Sequence, residues 1–509
     1  EPAGAPLEPA LNAASYDARR VQCASTWNKL LAGGMTLDLP EAVVNNAWRA
    51  VLIGSYSLLT GDEIRYSHGN QYAKLYIGEG GDAARSFMLY GQMPSAGRMI
   101  RPLFVYTRKK LEFHQAAFKL QMLAHYHRLT RDAPFLEQHR PLWQKEIDVI
   151  LKGRERKTGM LPREKYCGDI DTMVYSLNSN SNCWRALRDM SIVLEQTGDR
   201  ARATKLAKTA AEYRRTILAS LETAIQRDVR PPFVPIALSG EETAYEFIPG
   251  TRMGGYWNIM IQYVLGSGVF RSNSPVADDL LRYLQQRGGL VMGLLSTHAE
   301  STRYWMAERK INDLYGMRYA LALLERDEPD RALAGFYAKL AHGFTRDTFI
   351  CAEGSDIEPL DEFGRLMYLP PNSAGNASFL QQLRYLLVQD EDLDDDGRAE
   401  TLRLLFATPR PWLADGKRIK VDRAPTAFGE TSVNVESKLG EGRVVAEVTL
   451  PATAPARTLL RLRLPAGWRI ASAGASGQML KITNAETLDL SGLSGVIQVQ
   501  ANVERKPPP

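Results

Sequence analysis

Cysteine and histidine are scarce in this chain, with four of the first and seven of the second among 509 residues. Four cysteines, Cys23, Cys167, Cys183 and Cys351, are too few for a disulfide scaffold, although Cys167 and Cys183 lie in or beside one long loop and leave a single bridge open. None are paired at ligand spacing, so a zinc-bound thiolate is not expected. No run of roughly eighteen uninterrupted apolar residues occurs, which excludes a membrane-spanning helix. Charge of one sign is lacking as well. Lys and Arg number 63 against 58 Asp and Glu, a net charge of +5, and the basic residues are dispersed, so nucleic acid is excluded as a partner.

What remains is the composition of an ordinary globular protein, 44% hydrophobic and 24% charged, long enough for two or three domains. The chain starts at Glu1 and its first six residues read as a tail, so a removed targeting segment and a secreted or periplasmic location are expected. Nothing calls for a cofactor. Asp392-Leu-Asp394-Asp-Asp396-Gly397 matches the opening of a calcium loop, but Arg403 stands at the twelfth position where Glu belongs, and a solvated acidic turn is expected with no metal. The sequence leaves the oligomeric state open.

From about residue 42 to 390 apolar residues recur at the helical period, with almost no strand signal. The pattern predicts twelve helices, at 41–60, 79–91, 94–106, 113–130, 134–153, 181–198, 199–226, 254–267, 275–287, 303–326, 328–343 and 374–389. Links after even helices are short and most links after odd ones are long, at 61–78, 154–180, 227–253, 288–302 and 344–373. Six helical hairpins closed into a ring would gather all the long links at one end, where long loops are usually functional. From about 417 the pattern changes to alternation, as in Ser432-Val433-Asn434-Val435-Glu436-Ser437, punctuated by Gly, Pro, Asn and Ser. The expected architecture is mainly α: a lead-in over 1–40, an (α/α)6 barrel over 41–410 and an antiparallel β-sandwich over 411–509.

Four stretches carry a family resemblance: Tyr76-Ile-Gly-Glu79-Gly-Gly-Asp82-Ala83; Tyr166-Cys-Gly168-Asp169-Ile-Asp171 ahead of Asn182-Cys-Trp184-Arg185; Gly255-Tyr256-Trp257-Asn258; and Cys351-Ala-Glu353-Gly-Ser-Asp356. With the helical frame, they make residues 25–415 resemble the six-hairpin glycosidase superfamily, which includes glucoamylases, trehalases and disaccharide phosphorylases. The resemblance implies a carbohydrate substrate and inverting hydrolysis. It also implies an acid near the link between the fifth and sixth helices and a base between the eleventh and twelfth.

Inverting hydrolysis needs two carboxyl groups, one protonating the leaving oxygen and one activating water. The acid should sit where burial or a like charge raises its pKa. Asp169 is the expected acid, with Asp171 as its alternative or as a like charge beside it. Glu353 is the expected base, with Asp356 its competitor. Glu79 opens a helix, where the dipole suits a carboxylate that contacts sugar hydroxyls. Further expected contacts are Tyr76, Tyr166, Asn182, Trp184, Glu246, Tyr256, Trp257, Tyr304 and Tyr368. Arg163, Arg252, Arg303 and Arg365 could grip a uronate bidentately. His298 with Tyr304 would instead suit a uronate lyase, and a glycan-binding protein without chemistry is a third reading.

Overall fold

The structure, a computed structural model, describes residues 12–297, 310–312, 314–357 and 364–506. Fourteen α-helices occur among these residues. They are α1 (Ala13–Ala32), α2 (Ala42–Ser57), α3 (Ile77–Leu89), α4 (Met93–Val105), α5 (Glu112–Thr130), α6 (Ala133–Gln138), α7 (Arg140–Gly153), α8 (Leu177–Gln196), α9 (Arg200–Ala224), α10 (Arg252–Ser267), α11 (Pro275–Gln286), α12 (Met317–Glu325), α13 (Pro329–His342) and α14 (Ser373–Leu387).

Six of them close a ring. α3 packs on α5, α5 on α8, α8 on α10, α10 on α12, α12 on α14, and α14 returns to α3. These inner helices are buried over most of their surface, whereas an outer helix such as α9 buries one stripe, Ala203, Leu206, Ala210, Tyr213, Ile217 and Leu221, at the three-and-four spacing of an amphipathic helix. The turn between α8 and α9 is set by Gly198, at φ +92°, and by Asp199, whose carboxylate accepts the Arg202 N–H and caps α9. The inner helices begin at a common mouth, since Tyr315 just ahead of α12 bonds Glu79 of α3, and the Ser373 N–H opening α14 bonds the Tyr66 carbonyl ahead of α3.

Several expectations need correction. The 303–326 helix begins only at Met317, because Lys310–Ile311 pairs as a strand with Gly354–Asp356, and 303–309 lie outside the described residues. The 134–153 helix breaks at His139, ahead of Pro141. The lead-in carries helix α1, started by a capping box between Asn12 and Ser15. The long links are not free of strands either; Glu164–Cys167 and Ile170–Val174 form a hairpin that carries the predicted acid. None of the four cysteines forms a disulfide, so Cys167 and Cys183 are not bridged.

After α14 the chain builds two sheets. One has seven strands, in the order 36–38, 418–426, 429–438, 443–449, 496–505, 468–475 and 478–479. The other has five, in the order 388–391, 401–404, 457–461, 487–489 and 482–483. Thr36–Asp38, within the stretch expected to be lead-in, thus joins the C-terminal sheet. The pairing of Thr401–Leu404 with Arg457–Arg461 is parallel, a departure from the all-antiparallel expectation.

Candidate active site

Glu353 lies in the link between α13 and α14. Its backbone N–H is fixed to the Tyr368 carbonyl at 2.9 Å, and the next residues form the strand Gly354–Asp356. The close approach of α14 holds this link in place: a Cβ on Gly375 would collide with Cys351 Sγ and come within 2.9 Å of the Ala352 carbonyl oxygen. Burial raises the Glu353 carboxyl to about 7, the Tyr66 hydroxyl opposes the rise by hydrogen bonding to it, and the negative charges of Glu79 and Asp169 add to it. Glu79 and Asp169 are thus near enough for their charges to act on it.

Glu79, in the first turn of α3, is also raised by burial, against a 2.7 Å hydrogen bond from Tyr315 Oη. One turn deeper, Asp82 accepts two bonds from Arg318 Nη2, at 2.8 and 2.9 Å, and the guanidinium lies 4.0 Å from the Tyr263 ring centroid. This pair floors the mouth. His114 on α5 packs against Phe118 and Tyr263. Burial, with help from Arg108 and Arg318, pulls it down to about 4, so it is neutral.

Asp169 occupies the turn of the 164–174 hairpin. Its side chain is 62% exposed, with Arg108 Nη2 3.6 Å away and Arg252 Nη2 donating to its carbonyl at 3.2 Å. Aromatic rings surround these groups. Tyr66 and Tyr76 meet edge to face at 5.3 Å, Tyr72 and Tyr368 at 6.5 Å, and Arg252 covers Tyr256 at 5.6 Å. The constellation joins half-buried carboxyls, an exposed carboxylate and phenolic faces, which suits proton transfer on a polyhydroxylated substrate.

Of the other predicted residues, Asp171 points away, 86% exposed and paired with Lys165. Asp356 is buried, with Lys310 the charge acting on it. Tyr166 is core, donating to Glu242 at 2.7 Å, and Trp257 is core, donating to the Val234 carbonyl at 2.9 Å. Asn182 lies inside the ring beside Asn178 and Gln121, while Trp184 is packed between Arg188 and Arg214, toward the far end. Arg163 pairs with Glu241, Arg365 is spent on the Ala341 and Phe344 carbonyls, and Glu246 is exposed. His298, Arg303 and Tyr304 lie outside the described residues. Arg108, Tyr315 and the Asp82–Arg318 pair were not singled out from sequence. Only Asp82 had a signal there, as part of the Gly-rich stretch opening α3.

One group of carboxylates among the described residues gathers closely enough for a metal ion. Oxygens of Asp392, Asp394, Asp396 and Glu400 lie within 4.8 Å of one another, with Glu400 at the ninth position of the loop, not the twelfth, as the fourth member. No described helix is long and apolar enough to cross a membrane.

No family model matches the chain, and no curated protein does. Solved structures do. An α-L-rhamnosidase from Dictyoglumus thermophilum superposes with a TM-score of 0.57 at 11% identity, over 92% of this chain and 50% of its own. A GH78 family rhamnosidase of Bacillus sp. GL1 gives 0.52 at 13%, over 79% of this chain and 40% of its own. A bacterial glucoamylase complexed with acarbose gives 0.52 at 11%, over 75% and 60%. The chain spans about half the length of the first of these. At such identities the likeness is one of fold alone, an (α/α)6 ring of inner and outer helices.

Proposed function

We propose that this protein is a glycoside hydrolase acting with inversion on the end of an oligosaccharide or polysaccharide. The observation that carries the reading is Glu353, a half-buried carboxyl bonded by Tyr66 and acted on by the charges of Glu79 and Asp169 at the aromatic mouth of a helical ring. Glu353 serves as the base. A pKa near 7 places it where a carboxylate both exists at neutral pH and retains basicity toward water.

The acid is Glu79 in preference to Asp169, the residue favoured from sequence. A proton donor needs the burial that raises its pKa. Glu79 has that burial, whereas Asp169 is exposed beside a guanidinium. Asp169 and the two arginines that touch its turn, Arg108 and Arg252, then line the rim that meets the departing part of the glycan. Two guanidiniums there favour a saccharide bearing a carboxylate, such as a uronate.

The test is turnover of aryl glycosides and uronate-containing oligosaccharides, with proton NMR of the first anomer released. Glu353→Gln and Glu79→Gln should each lower kcat by at least about a hundredfold, the ordinary worth of acid or base catalysis, and the wild type should release the inverted anomer. Turnover within a fewfold of wild type in both variants, or an ultraviolet-absorbing unsaturated product, would end the proposal.

A further inference from the structure

The ring is hollow at the end away from the carboxyl cluster. A cavity of about 760 Å³ lies where the C-terminal turns of the inner helices meet the sheet turns around Ala427–Phe428 and Thr453–Ala456. It reaches up to Gly81 and Asp82 beneath the mouth, where the Asp82–Arg318 pair divides it from the carboxyl cluster.

Its wall is rich in arginine, and most of those guanidiniums are neutralised. Arg318 is bound by Asp82, Arg185 and Arg188 by Asp189 at 2.7 and 2.8 Å, and Arg128 faces Asp390 at 3.7 Å. Arg85 is different. Among the described residues no carboxylate pairs with it; its Nη2 donates to Tyr385 Oη at 2.9 Å, and its buried Nε has no hydrogen-bond partner. On the neighbouring helix His125 also lines the cavity, and its buried Nε2 is likewise without a partner.

Arg131 also lacks an acid but bonds Gln196 and the Ala427 carbonyl. Helix C-termini carry partial negative charge, which explains why arginines gather there but not why Arg85 keeps a buried N–H unpaired. Burial first, and then the guanidiniums of Arg85, Arg128, Arg185 and Arg384, hold His125 well below its ordinary pKa. It is thus a neutral imidazole, with one N–H to give. A buried donor without an acceptor, beside a buried imidazole nitrogen without a partner, is costly unless a ligand satisfies them.

We propose that this chamber binds a small oxyanion, a phosphate, a sulfate or the same group on a metabolite, through Arg85 and His125, independently of the carboxyl cluster at the mouth. The anion would accept from Arg85 Nε–H and from His125 in the tautomer that carries its proton on Nε2, with Arg128 and Arg185 reinforcing the positive field.

Calorimetric titration of the full chain with inorganic phosphate and with sulfate, at ionic strength fixed with potassium chloride, tests this. The expected result is one saturable site per chain. Arg85→Gln should weaken it by about tenfold or more, the equivalent of roughly 1.4 kcal/mol. His125→Gln should also weaken it, and Glu353→Gln should bind as wild type does. Circular dichroism reports folding; if Arg85→Gln does not fold, Arg85→Lys, which keeps the charge but loses Nε, should still bind more weakly than wild type. No saturable site for either anion, undiminished binding in the folded Arg85 and His125 variants, or equal weakening by Glu353→Gln overturns the proposal.

Discussion

At the scale of single residues, the titration of Glu353 links fold to chemistry. As the proposed base it is competent when ionised, so kcat/KM should climb as pH rises through about 7. The Tyr66 hydroxyl favours the ionised form, and its removal in Tyr66→Phe should shift that climb to higher pH, read from a pH–rate profile. The same group bears on stability. Its pKa in the folded chain lies above the ordinary 4.5, so the folded state holds the proton more tightly than the unfolded one. The stabilisation is fully present below about pH 4.5 and is lost as pH rises through about 7. Glutamine keeps an acceptor for Tyr66 and escapes this loss. The Tm of Glu353→Gln should therefore gain on wild type between pH 4.5 and 8, by an amount set by roughly 1.4 kcal/mol for each tenfold difference in proton affinity. A Tm difference independent of pH would contradict the assigned burial.

At the scale of elements, the N-terminus of α14 aims the proposed base. Asn372 caps it by accepting the Gly375 N–H at 2.8 Å, and the Ser373 N–H ties it to Tyr66. Asn372→Ala should cost about 1 kcal/mol, read from urea unfolding. Gly375→Ala meets Cys351 Sγ and the Ala352 carbonyl, two groups that cannot both give way without moving Glu353. It should destabilise by about 1–3 kcal/mol and lower kcat more than a surface Gly→Ala change does.

The helices of this frame were legible because inner and outer helices must bury different fractions of their surface, a difference that apolar spacing records. The break at His139 was not, since an apolar period runs on across a proline that can sit in the first turn of a new helix. Nor was the strand at Lys310–Ile311, whose partners, Gly354–Asp356 and Ser296, lie elsewhere in the chain.

For the whole molecule, the sheets and the ring are joined by ions. Arg461, its side chain only 5% exposed, donates through Nη2 to Asp327 at 2.8 Å, and Arg463 pairs with Asp330 at 2.5 Å. Both aspartates belong to the turn between α12 and α13 and its first residues. Asp327→Asn leaves a buried guanidinium without its charge partner, and because Asp327 is partly exposed the cost should be about 2 kcal/mol, less than for a fully buried pair. Sheet and ring should still unfold in one transition, followed by tryptophan fluorescence. Two separate transitions in wild type would show that the sheets are not coupled to the ring.

Sequence by itself determined the helical ring, the grouping of long links at one mouth and the presence of Glu353 and Glu79 there, because periodicity and link length are local properties that six hairpins convert into one geometry. Tertiary structure alone decided which acids are buried, that Asp171 turns to solvent while Tyr66 and Tyr315 hold the other carboxyls, and that an arginine-lined chamber lies at the far end. Burial and charge pairing are sums over residues distant in the chain, and no short stretch of sequence contains them.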